Sequence, residues 1–129
     1  MDTPGNGHIV DLTDGVSRIV AGAGVDRGLA TVFATGSTVA VTTMEYEPGG
    51  VQDLQALLDQ LIPIRGDYEH NVRNHDTNAH AHLRAAVIGP SETIPLVDGR
   101  MVLGTWQQVV LLDFDDRPRR RTVTVQIVS

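Results

Sequence analysis

Residues 93–114, TIPLVDGRMVLGTWQQVVLLDF, decide the fold class of this chain. The pair Asp98–Gly99 suits a type I′ turn, so it predicts a β-hairpin between strands over 93–97 and 100–103. The next segment, 105–114, is apolar on both faces, which predicts a long strand at the centre of a sheet. Antiparallel strands are therefore expected to form the body of the fold.

Strand and helix patterns follow one another irregularly on either side of this segment. Gly24, Pro63 and the Gly89–Pro90 pair each end a run of apolar residues at helical spacing. The predicted helices cover 13–23, 51–61 and 78–88, and the predicted strands cover 8–12, 29–34, 39–44 and 122–127. Loops are predicted for 45–50 and 65–75, and a frayed terminus for residues 1–7. This order predicts one α+β domain over residues 1–129 rather than repeated β–α–β units.

The composition excludes several classes of function. The 129 residues suit one domain, and the absence of Cys excludes disulfides, iron–sulfur clusters, thiolate zinc sites and a cysteine nucleophile. Apolar runs such as 109–112 are far too short to span a bilayer, and the N-terminus lacks the basic and apolar parts of a signal peptide. We therefore expect a cytoplasmic protein that makes no membrane contact.

The charge pattern limits the ligands that the protein can hold. The net charge is −6, so general affinity for nucleic acid is not expected. All basic residues are Arg, which leaves no lysine for a Schiff base and means that an anion must be held by Arg, backbone N–H groups or a metal. The Arg-rich run 117–121 lies beside several Asp residues, so it is either an anion site or a solvated turn.

Four of the five histidines, His70, His75, His80 and His82, fall within thirteen residues of one another. They form either a solvated His-rich loop and helix start, or a metal or acid–base site. On a helix over 78–88, His80 and His82 point about 200° apart and cannot share one ion. Asn78 and His82 do share a face, because they are four residues apart.

Two further kinds of side chain have both a functional and a structural interpretation. Glu45 and Glu47 stand where a strand meets a Gly/Pro loop, where carboxylates can bind magnesium or take a proton, but ordinary surface carboxylates also occur there. Asp53 opens a helix, which favours a helix-dipole role. Trp106 is the only Trp, and a lone Trp is more often part of the core than a ligand platform.

Several short motifs keep a fixed order across about residues 28–127. The most specific are Asn78-x-x-x-His82–Leu83 and the later Leu103–Gly104–Thr105–Trp106–Gln107. The others are Gly36–Ser37–Thr38 through Glu45, Asp53–Leu54, Tyr68-x-His70–Asn71, Gly89-x-Ser91 before Ile94–Pro95, and Arg117–Pro118–Arg119-x-Arg121. Together these motifs resemble the YjbQ-like proteins, also called uncharacterised protein family 0047.

This resemblance implies a fold, an assembly and an activity. The fold is a single-domain β-sandwich with helices packed on one side, assembled as a homotrimer. The activity is that of a secondary thiamine-phosphate synthase, which joins a pyrimidine methyl diphosphate to a thiazole phosphate and releases pyrophosphate. The alternative is a non-catalytic trimer that binds a metal or a small phosphorylated or otherwise anionic ligand.

The resemblance also assigns residues to the site. Catalytic roles fall to His70, His82 and Glu45. Substrate-binding roles fall to Ser37, Thr38, Asn78, Trp106, Gln107, Arg119 and Arg121. The family site has a further His before its two hydroxyl residues, where this chain has Gly36. The predicted ligands of a zinc or magnesium ion are therefore His70, His82 and His80, with His75 or Glu45 as alternative third ligands, unless no metal binds.

The spacing leads to one geometric expectation. We expect His70 and His82 to converge within a few ångströms on a polar pocket lined by Glu45, Asn78 and Trp106. His70 is eight residues from Asn78 and twelve from His82 along the chain, which is ample to bring it back to the start of the helix.

Overall fold

Antiparallel strands and short helices follow one another along residues 1–129, all of which the computed structural model describes. The strands are β1 (Asp2–Thr3), β2 (His8–Asp11), β3 (Gly28–Thr35), β4 (Val39–Met44), β5 (Ser91–Val97), β6 (Arg100–Met101), β7 (Gln108–Asp113), β8 (Arg119–Arg120) and β9 (Thr122–Val128). The helices are α1 (Thr13–Ala23), α2 (Pro48–Leu61), α3 (Glu69–Asn74) and α4 (Ala79–Ile88). The predicted α+β class is confirmed.

The strands form two antiparallel sheets and a short ribbon. One sheet has the order β6-β5-β3-β9, the other has the order β2-β7-β4, and β1 pairs with β8. The inner face of β3, where Ala30, Val32 and Ala34 are fully buried, packs on residues of β4 and β7. The two larger sheets therefore face each other across one apolar core.

Strand β7 belongs to two cores at once. Val109 and Leu111 pack between the two sheets, in a core that α1 closes from one end. Val110 and Leu112 pack on the opposite face, in a second core with Leu58 of α2 and with alanines of α4. This double burial confirms that β7 is the central strand of its sheet. It also gives the predicted sandwich, with α2 and α4 on one outer side.

The hairpin after β5 is formed as predicted. Asp98 and Gly99 have φ values of +53° and +72°, and a type I′ turn requires positive φ at both central residues. Strand β7, however, begins at Gln108 rather than at Thr105. Gln107 Oε1 accepts a hydrogen bond from Gly104 N at 3.1 Å, which closes residues 104–107 into a turn.

The N-terminus is paired rather than frayed, so that expectation is wrong. Asp2 and Thr3 pair with Arg120 and Arg119, and the Met1 ammonium donates a hydrogen bond to the Arg121 carbonyl oxygen at 2.7 Å. Thr3 is buried, and its hydroxyl donates to Asp113. A buried carboxylate on a distant strand therefore fixes the first residues.

Two segments predicted as loops are partly helical. Pro48, Gly49 and Gly50 form the first turn of α2, because Pro suits that position and the Glu47 carboxylate accepts hydrogen bonds from the N–H groups of Gly49 and Gly50. Within 65–75 the chain forms α3, and His75, directly after its last residue, caps it with φ of +50°. Helix α3 buries none of its own residues, so no apolar pattern marks it in the sequence.

A buried ion pair connects the ends of several strands. Arg121 donates to both carboxylate oxygens of Asp113, from Nε at 2.7 Å and from Nη2 at 2.7 Å. Its Nη2 also donates to the Thr38 hydroxyl at 2.7 Å. Thr38 donates to Asp115 at 3.2 Å, and Asp115 accepts from Arg119 Nε at 2.6 Å. These five side chains are called the Arg121 network below.

Protonation would break this network only in strong acid. Burial raises the pKa of Asp113, but hydrogen bonds from Arg121 and Thr3 outweigh burial and hold that pKa below 3.8. Burial also raises the pKa of Asp115, but the hydrogen bonds from Arg119 and the Asp116 N–H outweigh burial and lower this pKa to about 2. A lowered carboxyl pKa stabilises the fold above the pKa of the unfolded chain. That stabilisation is lost as pH falls from 3.8 towards 2.

Replacing Arg121 by Met should lower the free energy of unfolding by about 3–5 kcal/mol, because the variant leaves the Asp113 carboxylate buried without a partner. Arg120→Met is the matched control, since that neighbouring side chain is 88% exposed and lies 3.9 Å from its only carboxylate. The control should change little. Urea unfolding of both variants at pH 7 measures the difference. Equal stability of Arg121→Met and wild type would contradict the structural role of the pair.

Candidate functional site

His70 of α3 and His82 of α4 lie against each other. Their ring centroids are 4.7 Å apart and the ring planes are tilted by 48°. Both side chains are partly exposed, so a ligand can reach them. The juxtaposition that the sequence predicts is therefore present in the fold.

Asn71 positions the first of these imidazoles, and sequence reasoning gave it no role. Its Oδ1 lies 3.2 Å from His70 Nδ1 and also accepts a hydrogen bond from Ala79 N at 3.0 Å. An amide oxygen can only accept, so the neutral His70 ring carries its proton on Nδ1 and presents a lone pair at Nε2. Asn71 thereby couples α3 to the start of α4. The motif Tyr68-x-His70–Asn71 contained this signal.

His82 is the shared wall of two clefts. The first, called the Tyr68 cleft, has a volume of about 300 Å³ and is lined by Tyr68, Glu69, His70, Ala79, His82 and Leu83. The second, called the Ser37 cleft, has a volume of about 290 Å³ and is lined by Gly36, Ser37, Val39, His82, Ala85, Ala86 and Pro90. The alanines of α4 leave this space open because their side chains are short.

The wider pocket expected around the imidazoles is not formed. Ser37 lines a cleft, but Glu45 and Trp106 line neither of the two. Trp106 is 73% exposed on the turn before β7, because that strand begins two residues later than Trp106. Asn78 is buried at the start of α4, and its Oδ1 has no hydrogen-bond partner.

Most of the polar residues assigned to substrate have internal partners instead. Gln107 donates to the Thr43 hydroxyl at 3.0 Å and accepts from Gly104 N, so its amide holds a turn. Thr38 and Arg121 are buried within the Arg121 network, and Arg119 is paired with Asp115. The sequence placed these arginines beside the aspartates but did not reveal which ones pair.

The predicted metal site does not fit the residues of one chain. No three His, Asp or Glu side chains are grouped so that they could hold a metal ion. His80, the predicted third ligand, is 2% exposed on α4, and it lines neither of the two clefts that His82 borders. His80 lies apart from the His70–His82 pair, because residues two apart on a helix point about 200° away from each other, and metal binding by these histidines stays a prediction.

Comparison with known proteins identifies the family. The family model described as "UPF0047 protein YjbQ-like" matches residues 1–129. The chain belongs to the YjbQ-like family. Among its relatives, a UPF0047 protein of Methanothermobacter thermautotrophicus is 35% identical over 122 residues, which cover 95% of this chain and 83% of that protein. A UPF0047 protein of Mycobacterium tuberculosis is 37% identical over 124 residues, covering 95% and 90%.

Solved structures of YjbQ-like proteins share the fold. A YbjQ-like protein of unknown function from Sulfolobus solfataricus has a TM-score of 0.88 and 31% identity, covering 98% of this chain and 92% of that one. An uncharacterised YjbQ/UPF0047 protein from Clostridium acetobutylicum has a TM-score of 0.86 and 32% identity, covering 99% and 98%. These similarities confirm the predicted family and fold. In this YjbQ-like chain no helix combines the length and apolar character needed to cross a membrane.

A different histidine, His80 of α4, predicts that the stability of this family member depends on pH. His80 is buried and its Nδ1 has no hydrogen-bond partner. Burial is the main cause that lowers its pKa below 6.5, and Arg84 adds to it, while the nearby carboxylates Asp116, Asp115 and Asp59 act in the opposite direction. The unfolded chain therefore binds the His80 proton more readily, and stability falls as pH drops below about 6.5.

Replacing His80 by Phe should reduce this loss, because the titrating group is gone while an aromatic ring still fills the site. Urea unfolding at pH 7.5 and pH 5.5 measures the change for wild type and variant. His75→Gln is the control, since His75 is exposed at the end of α3. An equal drop in stability between the two pH values for wild type and His80→Phe would show that His80 is not the responsible group.

Proposed function

We propose that this YjbQ-like protein binds a small phosphorylated or otherwise anionic ligand at the His70–His82 pair, without catalysis. The main support for this proposal is that the centroids of the two rings lie 4.7 Å apart and that His82 lines both clefts. Protonated imidazoles donate charge-assisted hydrogen bonds to anionic oxygens. Clefts of about 300 Å³ lie at the small end of ligand sites, which favours a small ligand.

The distribution of charge favours the Ser37 cleft for the anionic group. None of the residues lining that cleft is acidic, and Ser37 offers an exposed hydroxyl. The Tyr68 cleft contains Glu69, whose carboxylate pairs with Arg73 at 3.2 Å on the surface. An anion is repelled less in the Ser37 cleft, so the Tyr68 cleft suits the uncharged part of the ligand.

The thiamine-phosphate synthase activity implied by the resemblance stays a prediction. A diphosphate leaving group needs cationic stabilisation in the transition state. Arg119 and Arg121 each neutralise an aspartate. This pairing supports binding over transfer. Complementation of a thiamine-requiring strain that lacks its synthase tests the activity, and growth that depends on His82 would overturn the non-catalytic proposal.

Binding is tested with inorganic phosphate as the probe, by calorimetry at pH 6. His82→Gln should weaken binding about tenfold or more, because it removes the hydrogen bond from the imidazole to the anion. His75→Gln, outside both clefts, should bind like wild type. Wild-type protein that binds no phosphate, or a His75 effect equal to that of His82, would contradict the proposal.

We also propose that the chain forms a homotrimer through the outer face of the four-stranded sheet. Side chains of β3, β5 and β9 that alternate with the core residues point to this face and are uncharged, while Arg100 of β6, opposite Val97, is a charged residue at its edge. The uncharged side chains are Leu29, Thr31, Phe33, Thr35, Ser91, Thr93, Pro95, Val97, Thr122, Thr124, Gln126 and Val128. Strand β9 lies at the edge of the sheet, without a Pro or Lys to block pairing.

A charge introduced on the uncharged part of this face, at Phe33 of β3, should dissociate the trimer. Light scattering of the wild-type protein should give three times the chain mass of 13.9 kDa, and Phe33→Glu should give the single-chain mass, because burying the new carboxylate is unfavourable. Leu61→Glu is the control, since Leu61 is 66% exposed on α2, away from this face. A wild-type mass near 14 kDa at micromolar concentration would exclude the trimer.

A further inference from the structure

A groove lies between α1 and the hairpin of β5 and β6, and it shares no lining residue with the two clefts at His82. The half that contains Ser17 and Leu103 has a volume of about 370 Å³, and the half that contains Gly24 and Asp98 has a volume of about 220 Å³. Three residues line both halves and make them continuous: Val20, Ala21 and Gly99.

Short side chains on α1 keep this groove open. Ser17, Ala21 and Gly24 follow one another at intervals of four and three residues, so they lie on one side of the helix. A Cβ atom added to Gly24 would meet nothing within 4 Å, and one added to Gly99 would meet nothing nearer than 3.9 Å. The Gly99 N–H donates to the Asp26 carbonyl oxygen at 3.0 Å, which connects the hairpin to the segment after α1. The two walls are therefore joined, and the space between them is empty of side chains.

The two halves of the groove carry opposite charges. Arg100, at the edge of the four-stranded sheet, lines the first half, whereas Asp26 and Asp98 line the second. All three side chains are exposed, and none of them forms an ion pair within the chain. Helix α1 ends at the second half without a basic residue in its last turn, so the negative end of its dipole adds to the two carboxylates. Val20 and Met101 give the groove an apolar wall.

We propose that this groove binds a short peptide of about three aliphatic residues by its free termini, with the ammonium group in the second half and the carboxylate in the first. Seven residues of helix separate Ser17 from Gly24, which is a length of about 10 Å. Three residues of extended chain cover about the same length. The site goes beyond the proposed function, which concerns the His70–His82 pair.

The charges select this ligand over simpler ones. A free amino acid carries its ammonium group and its carboxylate on one carbon atom, so it cannot reach both halves of the groove. An inorganic anion would meet the carboxylates of Asp26 and Asp98, and an inorganic cation would gain nothing from the apolar wall. A linear molecule with a charge at each end and an aliphatic middle matches all three features.

The first test is a calorimetric titration of the full chain with the tripeptide Ala-Leu-Ala as the probe. N-acetylation of the peptide should weaken binding about tenfold or more, and so should amidation of its C-terminus, because each removes charge-assisted hydrogen bonds at one end. Leucine alone should bind about tenfold more weakly than the tripeptide, since it contacts only one half.

Variants of the charged residues assign each terminus to its half. Arg100→Gln should weaken binding of Ala-Leu-Ala about tenfold and leave the affinity for its C-terminal amide unchanged. Asp98→Asn should do the same with respect to the N-acetylated peptide, and Asn suits the φ of +53° at this position. Arg27→Gln is the matched control, since Arg27 directly follows Asp26 but lines neither half.

A steric variant tests the location of the site. Ala21→Leu should abolish binding, because the larger side chain fills the space common to both halves. Ala23→Leu is the control, since Ala23 is exposed on the same helix and lines neither half. Both substitutions keep a strong helix former, so α1 should stay intact.

Each contrary outcome identifies what is wrong. Wild-type protein that does not bind Ala-Leu-Ala, or binds its N-acetylated form equally well, would overturn the proposal, and these two measurements do not depend on any variant folding. Leucine that binds as tightly as the tripeptide would show an amino-acid site instead. Loss of the trimer in Ala21→Leu, seen by light scattering, would show that a second copy covers the groove. Saturating phosphate should not change the affinity for the peptide, so this site and the His70–His82 site can fail separately.

Discussion

The bidentate ion pair between Arg121 and Asp113 is the constraint on which the arrangement of the strand ends depends. It joins the start of β9 to the end of β7, and through the Thr38 and Thr3 hydroxyls it also holds the β3–β4 connection and the N-terminal strand. A buried ion pair is not by itself strongly stabilising, because both charges lose their hydration. Once the charges are buried, however, each must have its partner, so the segments that carry them can meet in only one way.

The parts of the fold that follow from local patterns could be predicted from the sequence. The Asp98–Gly99 turn, the doubly apolar β7 and the helix stops at Gly24 and Gly89 each act within a few residues. Thr3 could not be placed in this way, because its partner is 110 residues away along the chain. Helix α3 was missed for a different reason: it has no apolar face. Asn74 donates to the His70 carbonyl oxygen within it, and Asn71 accepts a hydrogen bond from Ala79 N of α4.

In the candidate site, too, local features could be predicted from the sequence and contacts between distant residues could not. His70 and His82 could be brought together from helix geometry and loop length, since both are local quantities. The partners of the charged residues could not, because four arginines follow closely on three aspartates and composition does not show which pairs form. The same limit applies to Asn71, whose amide joins two helices. Position 36 was recognised as a departure from the family pattern, but only the structure shows that a Cβ added there would lie 2.8 Å from Arg121 Nη1.

The double burial of β7 has a consequence for how the chain finds its register. In a strand with one buried and one solvent-exposed face, a slip by one residue would bury polar side chains. The cost of burying them fixes the register with the neighbouring strands. Val109, Val110, Leu111 and Leu112 are apolar on both sides, so a slipped strand would bury nearly the same surface. The correct alignment must come from the two ends, where Gln108 accepts a hydrogen bond from Tyr46 N and Asp113 meets Arg121. The four central residues of β7 do not determine its register, which is fixed instead by one polar residue at each end of the strand.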